Sequence, residues 1–224
     1  MVDLDLEQII QSTLLQKWIN PIWLDKAALE QLHQEFADAK PFKHAYMDQL
    51  IVEDQLERVI EVLTEQEFEI KDSDLFQLAQ TADFDDLDQP ILRSFKKMFQ
   101  SDQFVALMEY ITNVDLSNAV DMLGNIYSDT DYLLCHDDKL IKRKVAYILY
   151  LTDLEEEDGG ALHLFDTKDE QPNKIVKRIF PRYNRLTFFE VTRQSFHEVG
   201  EVLQPDIYRV SISGWFNNTQ EVEA

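Results

Sequence analysis

The spacing of apolar positions changes character near Asp115. Before it, apolar residues recur every three or four positions, the repeat of an amphipathic helix; after it they alternate, the repeat of a half-buried strand. Leu6, Ile10, Leu14 and Trp18 form one stripe and predict a helix over 4–18, broken by Pro21. Asp25 is placed to cap a second helix with Ala28, Leu29, Leu32 and Phe36 inward, ended by Pro41. Phe42 to Ile51 reads as a strand. A third helix runs from about Glu53, with Leu56, Val59, Ile60 and Leu63 as its buried face. Phe68 to Asp88 is acidic and irregular, which predicts turns and short helix. Pro90 opens a fourth helix through Leu92, Phe95, Met98 and Phe99, and Ser101 caps a fifth with Phe104, Met108 and Ile111 inward.

In the second half, Lys144 to Leu151 predicts a strand. Val145, Tyr147, Leu149 and Leu151 lie on one face, and Ala146, Ile148 and Tyr150 on the other. Glu155 to Gly160 is a charged turn, and Ala161 to Phe165 is short and apolar. Arg185–Val191 and Tyr208–Phe216 are further strands. Short strands joined by turns predict a closed sandwich or jelly roll, which leaves no exposed edge. The expected fold class is α+β. One domain spans 1–224, with 1–115 mainly helical support and 116–217 a β core.

Composition narrows the class. The 224 residues are 45% hydrophobic and 11% aromatic, which excludes a disordered chain and suffices for one full core. No run of eighteen apolar residues is present, so no membrane helix is expected. The acidic start Met1–Glu7 lacks the basic region of a secretory signal. Cys135 is the only cysteine, so no internal disulfide can form and a reducing compartment is expected. These features together predict a soluble cytoplasmic protein. A net charge of −22 keeps the chain solvated, argues against direct contact with nucleic acid, and permits a basic protein partner.

The candidate chemistry centres on Tyr132-Leu-Leu-Cys-His-Asp-Asp138. In an extended strand residues i and i+2 share a face, so His136 and Asp138 set an imidazole beside a carboxylate. Two histidines and one carboxylate, with other positions open, suit a non-haem Fe(II). Alone, His-x-Asp also reads as a polar turn at a strand end. Both His163 and His197 are candidates for the third ligand, and spacing does not choose between them. His33 and His44 read as surface residues. On the last strand Arg209, Ser211, Ser213 and Trp215 share a face opposite Val210, Ile212 and Phe216. That face is either solvent-exposed or the lining of a pocket in which Arg209 grips a carboxylate through paired hydrogen bonds.

The order His136-x-Asp138, His197, Arg209 resembles the 2-oxoglutarate- and Fe(II)-dependent oxygenases with a double-stranded β-helix, a form of jelly roll. Longer blocks narrow the resemblance: Leu133-Leu-Cys-His-Asp-Asp138, Tyr147-Ile-Leu-Tyr-Leu151, Phe188-Phe-Glu-Val191, Ser195-Phe-His197 and Arg209-Val-Ser-Ile-Ser-Gly-Trp-Phe216. They are similar to the ribosomal-protein prolyl hydroxylases, the prolyl 3-hydroxylase and prolyl 3,4-dihydroxylase family, from about Pro41 to Phe216. The resemblance implies that His136, Asp138 and His197 bind Fe(II) and that Arg209 pairs with the far carboxylate of 2-oxoglutarate. It further implies that Tyr150 donates a hydroxyl to that carboxylate, with Tyr127 and Ser211 beside it. O2 is the second cosubstrate, and ascorbate a reductant the family admits. The implied partner is a basic ribosomal protein of the small subunit, hydroxylated on a proline. His163 matches no motif and reads as structural; Trp215 reads as core or pocket wall. Eukaryotic members continue into a second, catalytically silent β-helix domain, so a catalytic domain alone is the expectation here. Two other readings stay open: an oxygenase acting on another protein residue or a small molecule, and a non-catalytic acidic module that binds basic proteins.

Overall fold

A computed structural model describes residues 5–218. Its helices are α1 (Leu6–Ile10), α2 (Thr13–Trp18), α3 (Lys26–Asp38), α4 (Glu53–Leu63), α5 (Pro90–Phe99) and α6 (Asp102–Thr112). The strands before residue 116 are β1 (His44–Met47), β2 (Glu69–Asp72) and β3 (Phe76–Gln80). After it come β4 (Leu123–Tyr127), β5 (Tyr132–His136), β6 (Arg143–Tyr150), β7 (Leu162–Lys168), β8 (Gln171–Ile179), β9 (Arg185–Glu190), β10 (His197–Val199) and β11 (Arg209–Asn217). Among the described residues no helix is long and apolar enough to cross a membrane.

All strands join one antiparallel sheet in the order β1-β9-β6-β11-β4-β3-β5-β10-β7-β8, with β2 on β3. The sheet curls until its two ends meet. Ala146, Phe189 and Val191 of the β6–β9 side pack against Leu162, Leu164 and Ile179 of β7 and β8. This curled half-barrel is the jelly-roll form that the strand pattern predicts. The helices cover its outer face. Tyr147, Leu149, Phe188, Ile212 and Phe216 point outward and pack with Phe36, Phe95, Phe99 and Phe104. Phe36 stacks on Phe188 and Phe99 on Phe216, with ring centroids 5.6 and 6.0 Å apart. Truncating one such buried ring costs about 3–5 kcal/mol.

Local chemistry explains where the helices begin. Asp25 accepts the Ala28 N–H at 2.9 Å and Ser101 that of Phe104 at 3.2 Å, as their cap positions require. The predicted helix over 4–18 is in fact two. Ser12 accepts the Leu15 N–H and starts α2 afresh, so the buried face falls on Ile9, Leu15 and Trp18 instead of a single stripe. Leu4, where that helix was expected to begin, lies outside the described residues. The strand expected over Phe42–Ile51 is only β1, because the chain turns at Asp48–Gln49, where Gln49 has φ 51. The stretch Phe68–Asp88, expected to be irregular, holds the β2–β3 hairpin. His44, expected at the surface, is 3% exposed: pairing of β1 with β9 sets it opposite Phe189.

Candidate metal centre

His136 ends β5 and His197 opens β10. The two strands are antiparallel neighbours with these residues in direct register, and the ring centroids are 4.2 Å apart. Each imidazole is fixed through Nδ1 by a carbonyl two residues earlier, Leu134 O at 2.8 Å and Ser195 O at 2.7 Å. A carbonyl only accepts, so Nδ1 carries a hydrogen, and in the neutral ring Nε2 presents a lone pair. Asp138 joins them by a route other than the pleat. The strand stops at His136, and Asp138 takes a left-handed backbone with φ 61, a conformation Asp tolerates better than most residues. Ser195 ties this turn to the loop before β10: its hydroxyl lies 3.0 Å from the Asp137 carbonyl. The Asp138 carboxylate then lies 3.5 Å from Nε2 of each histidine. One donor atom from each of the three residues falls within 4.8 Å of the others.

The electrostatics match that arrangement. Burial, reinforced by the neighbouring His136, lowers the pKa of His197 to about 4, so its ring is neutral at pH 7. Burial also opposes charge on His136, but the Asp138 carboxylate outweighs it and raises the pKa. Burial favours the neutral acid at Asp138, yet the His136 hydrogen bond and both imidazoles hold its pKa down at about 2.

The three residues open into a pocket of about 420 Å³ walled by Ala146, Ile148, Leu162, Phe189 and Val199. Arg209, also on the pocket wall, is 1% exposed. Its Nε donates to the Gly160 carbonyl at 2.8 Å, and its Nη1 lies at a long 3.4 Å from Ser211 Oγ. Gly160 has φ +66, and an added Cβ would stand 2.8 Å from Leu154 Cδ2 and 3.2 Å from Arg209 Cδ, so the seat of Arg209 demands glycine. The Tyr127 and Tyr150 rings flank the guanidinium at 4.9 and 5.1 Å. Among the described residues, Arg209 Nη2 and the Tyr150 hydroxyl are buried without a hydrogen-bond partner. His163 stands apart from this group, its Nδ1 2.8 Å from Glu198 Oε1.

The profile described as the 2OG-Fe(II) oxygenase superfamily matches residues 122–217, a span that includes all of these site residues. The chain carries a 2OG-Fe(II) oxygenase domain. The chain is 36% identical over 219 residues to the mouse (Mus musculus) protein named Prolyl 3-hydroxylase OGFOD1, covering 96% of this chain and 40% of that one. To the Xenopus laevis protein of the same name it is 40% identical over 183 residues, covering 80% and 36%. It thus spans about 40% of the length of the mouse relative. Among solved structures, a Pseudomonas putida prolyl-4-hydroxylase aligns with a TM-score of 0.66 at 17% identity, over 84% of this chain and 98% of that one. This likeness shows a shared double-stranded β-helix fold.

Members of this superfamily use Fe(II), 2-oxoglutarate and O2. The oxygenase domain has donors that fit the first two. Two imidazole nitrogens and a carboxylate on one side of an open pocket suit a hard-to-borderline divalent ion. A buried guanidinium with an unused N–H, beside a buried unused hydroxyl, suits a carboxylate. Two residues escaped the sequence reading. Trp215, read as wall, donates its indole N–H to Asp138 Oδ2 at 2.9 Å, and Arg143 donates to Asp138 Oδ1 at 3.2 Å. Trp215 lies on the inner face with Arg209, so alternation placed it in the pocket without indicating its partner. The β2–β3 hairpin, also missed, contributes Lys71, Phe76, Leu78 and Gln80 to the lining. The alternation of Phe76 and Leu78 was the available signal.

Proposed function

We propose that this oxygenase domain hydroxylates a prolyl residue in a protein, using Fe(II) held by His136, Asp138 and His197 and 2-oxoglutarate held by Arg209. The convergence of the three donors in one pocket with a buried Arg209 whose Nη2 is left without a partner carries this reading. The mouse and frog relatives named prolyl 3-hydroxylases support the choice of proline. When bound, iron and 2-oxoglutarate together supply the oxidation: O2 is consumed, the cosubstrate becomes succinate and CO2, and one oxygen goes to the substrate. The chain's own residues orient and enclose. The carbonyl-fixed imidazoles direct their Nε2 atoms at the site. Arg209 and the Tyr150 hydroxyl anchor the far carboxylate, with Tyr127 and Ser211 packing beside the guanidinium. Ala146, Ile148, Leu162, Phe189 and Val199 keep water from the reacting centre. The net charge of −22 favours encounter with a basic substrate such as a small-subunit ribosomal protein, and the single Cys135 accords with a reducing, cytoplasmic setting.

The test is mass spectrometry of small-subunit ribosomal proteins incubated with the purified chain, Fe(II), 2-oxoglutarate and O2. One or two added oxygens on a proline are expected. Unmodified proteins, with succinate released on another substrate, would overturn the ribosomal assignment and leave the oxygenase.

A further inference from the structure

Asp138 sits on a turn with a left-handed backbone, so no strand ladder fixes its side chain. Its two oxygens are nevertheless held from both sides. Trp215 Nε1–H donates to Oδ2 at 2.9 Å, and Arg143 Nη1 donates to Oδ1 at 3.2 Å. The two donors form one unit: the Arg143 guanidinium carbon lies 3.4 Å from the centre of the Trp215 ring. Register explains why they meet. On adjoining strands β6 and β11, Trp215 pairs with Ala146 and Asn217 with Arg143, so both side chains rise beside the turn that carries Asp138.

We propose that Trp215, braced by Arg143, is the positioning residue for Asp138, fixing the direction in which its carboxylate faces His136 and His197. The proposal rests on the reading of these three as a divalent-metal site. A pocket wall needs the area of the indole and has no use for its N–H. A positioning donor needs the N–H, directed at the one acceptor whose backbone leaves it unfixed. Groups that orient metal ligands from outside the ligand set commonly change metal affinity by 10- to 100-fold when removed.

Trp215→Phe keeps an aromatic wall and deletes only the donor. Arg143→Lys keeps the charge and loses the planar stack and the fork. Mn(II) binding to the purified chain is read by electron paramagnetic resonance, without cosubstrate or substrate. The expected result is about 10-fold or more weaker Mn(II) binding for W215F and a smaller loss for R143K. The double variant is expected to bind no more weakly than W215F alone, because both residues act through one carboxylate. Wild-type affinity in W215F, or fully additive losses, would overturn the proposal. Should W215F fail to keep a wild-type melting profile, R143K decides: unchanged Mn(II) affinity there overturns it. A wild-type chain that binds no Mn(II) sinks both this proposal and the metal reading. A chain that binds Mn(II) with the expected losses and hydroxylates no proline sinks only the substrate reading.

Discussion

Arg209→Lys tests the cosubstrate reading at the point where the structure gives a magnitude. The guanidinium is 1% exposed, with Nε committed to the Gly160 carbonyl, Nη1 weakly engaged and Nη2 unpaired. A dicarboxylate entering the pocket meets a charge already desolvated by folding, so the cost of burying it does not fall on binding. Breaking such a buried charge pair by removing one partner costs about 3–5 kcal/mol. Lysine keeps the charge but loses the fork and the anchor on Gly160, so about 2–3 kcal/mol of that is at stake. At about 1.4 kcal/mol per tenfold, 2-oxoglutarate should bind about 30- to 150-fold more weakly. Isothermal titration of 2-oxoglutarate into Mn(II)-loaded protein reads the affinity directly. Succinate release should show the same loss in KM for 2-oxoglutarate, with kcat at saturation changed far less, because the far carboxylate takes no part in the chemistry. An R209K affinity within threefold of wild type, in protein that melts normally, would refute the assignment of Arg209.

Two other substitutions probe the metal centre and its surroundings. Asp138→Ala should abolish turnover and Mn(II) binding while the melting profile persists, because Asp138 lies on a turn outside the sheet ladder; full activity would sink the iron assignment. His44→Gln should alter the acid side of the stability profile. Burial lowers the pKa of His44 to about 4. The folded state keeps the ring neutral where the unfolded chain protonates it, so stability is full above pH 6.5 and lost as pH falls from 6.5 to about 4. The linked loss is about 3 kcal/mol. Urea midpoints at pH 7 and pH 4.5 should therefore converge in H44Q relative to wild type, and parallel declines would rule the linkage out.

Much of this was legible because inner strands expose period two on both faces. Alternation grouped Tyr150 with Ala146 and Ile148 on one face of Lys144–Leu151, and Arg209, Ser211 and Trp215 on one face of Tyr208–Phe216; only the pairing of these strands turns both faces to the same side. What stayed hidden depends on pairing. Glu69–Asp72 is strand only because β3 lies beside it; Ile70 there is 77% exposed, and no buried face marks the run. Gln171–Ile179 is likewise mostly exposed and is held by its ladder with β7. His44 reads as polar until β9 covers it. Asp138 was placed beside His136 through the pleat of a strand, whereas a turn brings it there; the two side chains do meet, by another local route. The polar partners of Asp138 come from β6 and β11, and no spacing along the chain announces such a meeting.

The position of β3 has a consequence for the order in which the protein assembles. β4 and β5 are nearly consecutive in the chain, yet they do not pair; β3 lies between them, with Ala79 opposite Ile126 and Phe76 opposite Leu133. The strand that carries His136 is therefore flanked on both sides by distant segments, β3 on one and β10 on the other. Closing such long loops is slow compared with zipping local hairpins such as β7–β8, whose ends are already close. The helices and local hairpins are free to form first, and the two histidines come into register only when β10 reaches β5 across about sixty residues of chain. On this topology the cluster of His136, Asp138 and His197 is expected to assemble late in folding, and its completion to report that β10 has closed onto β5.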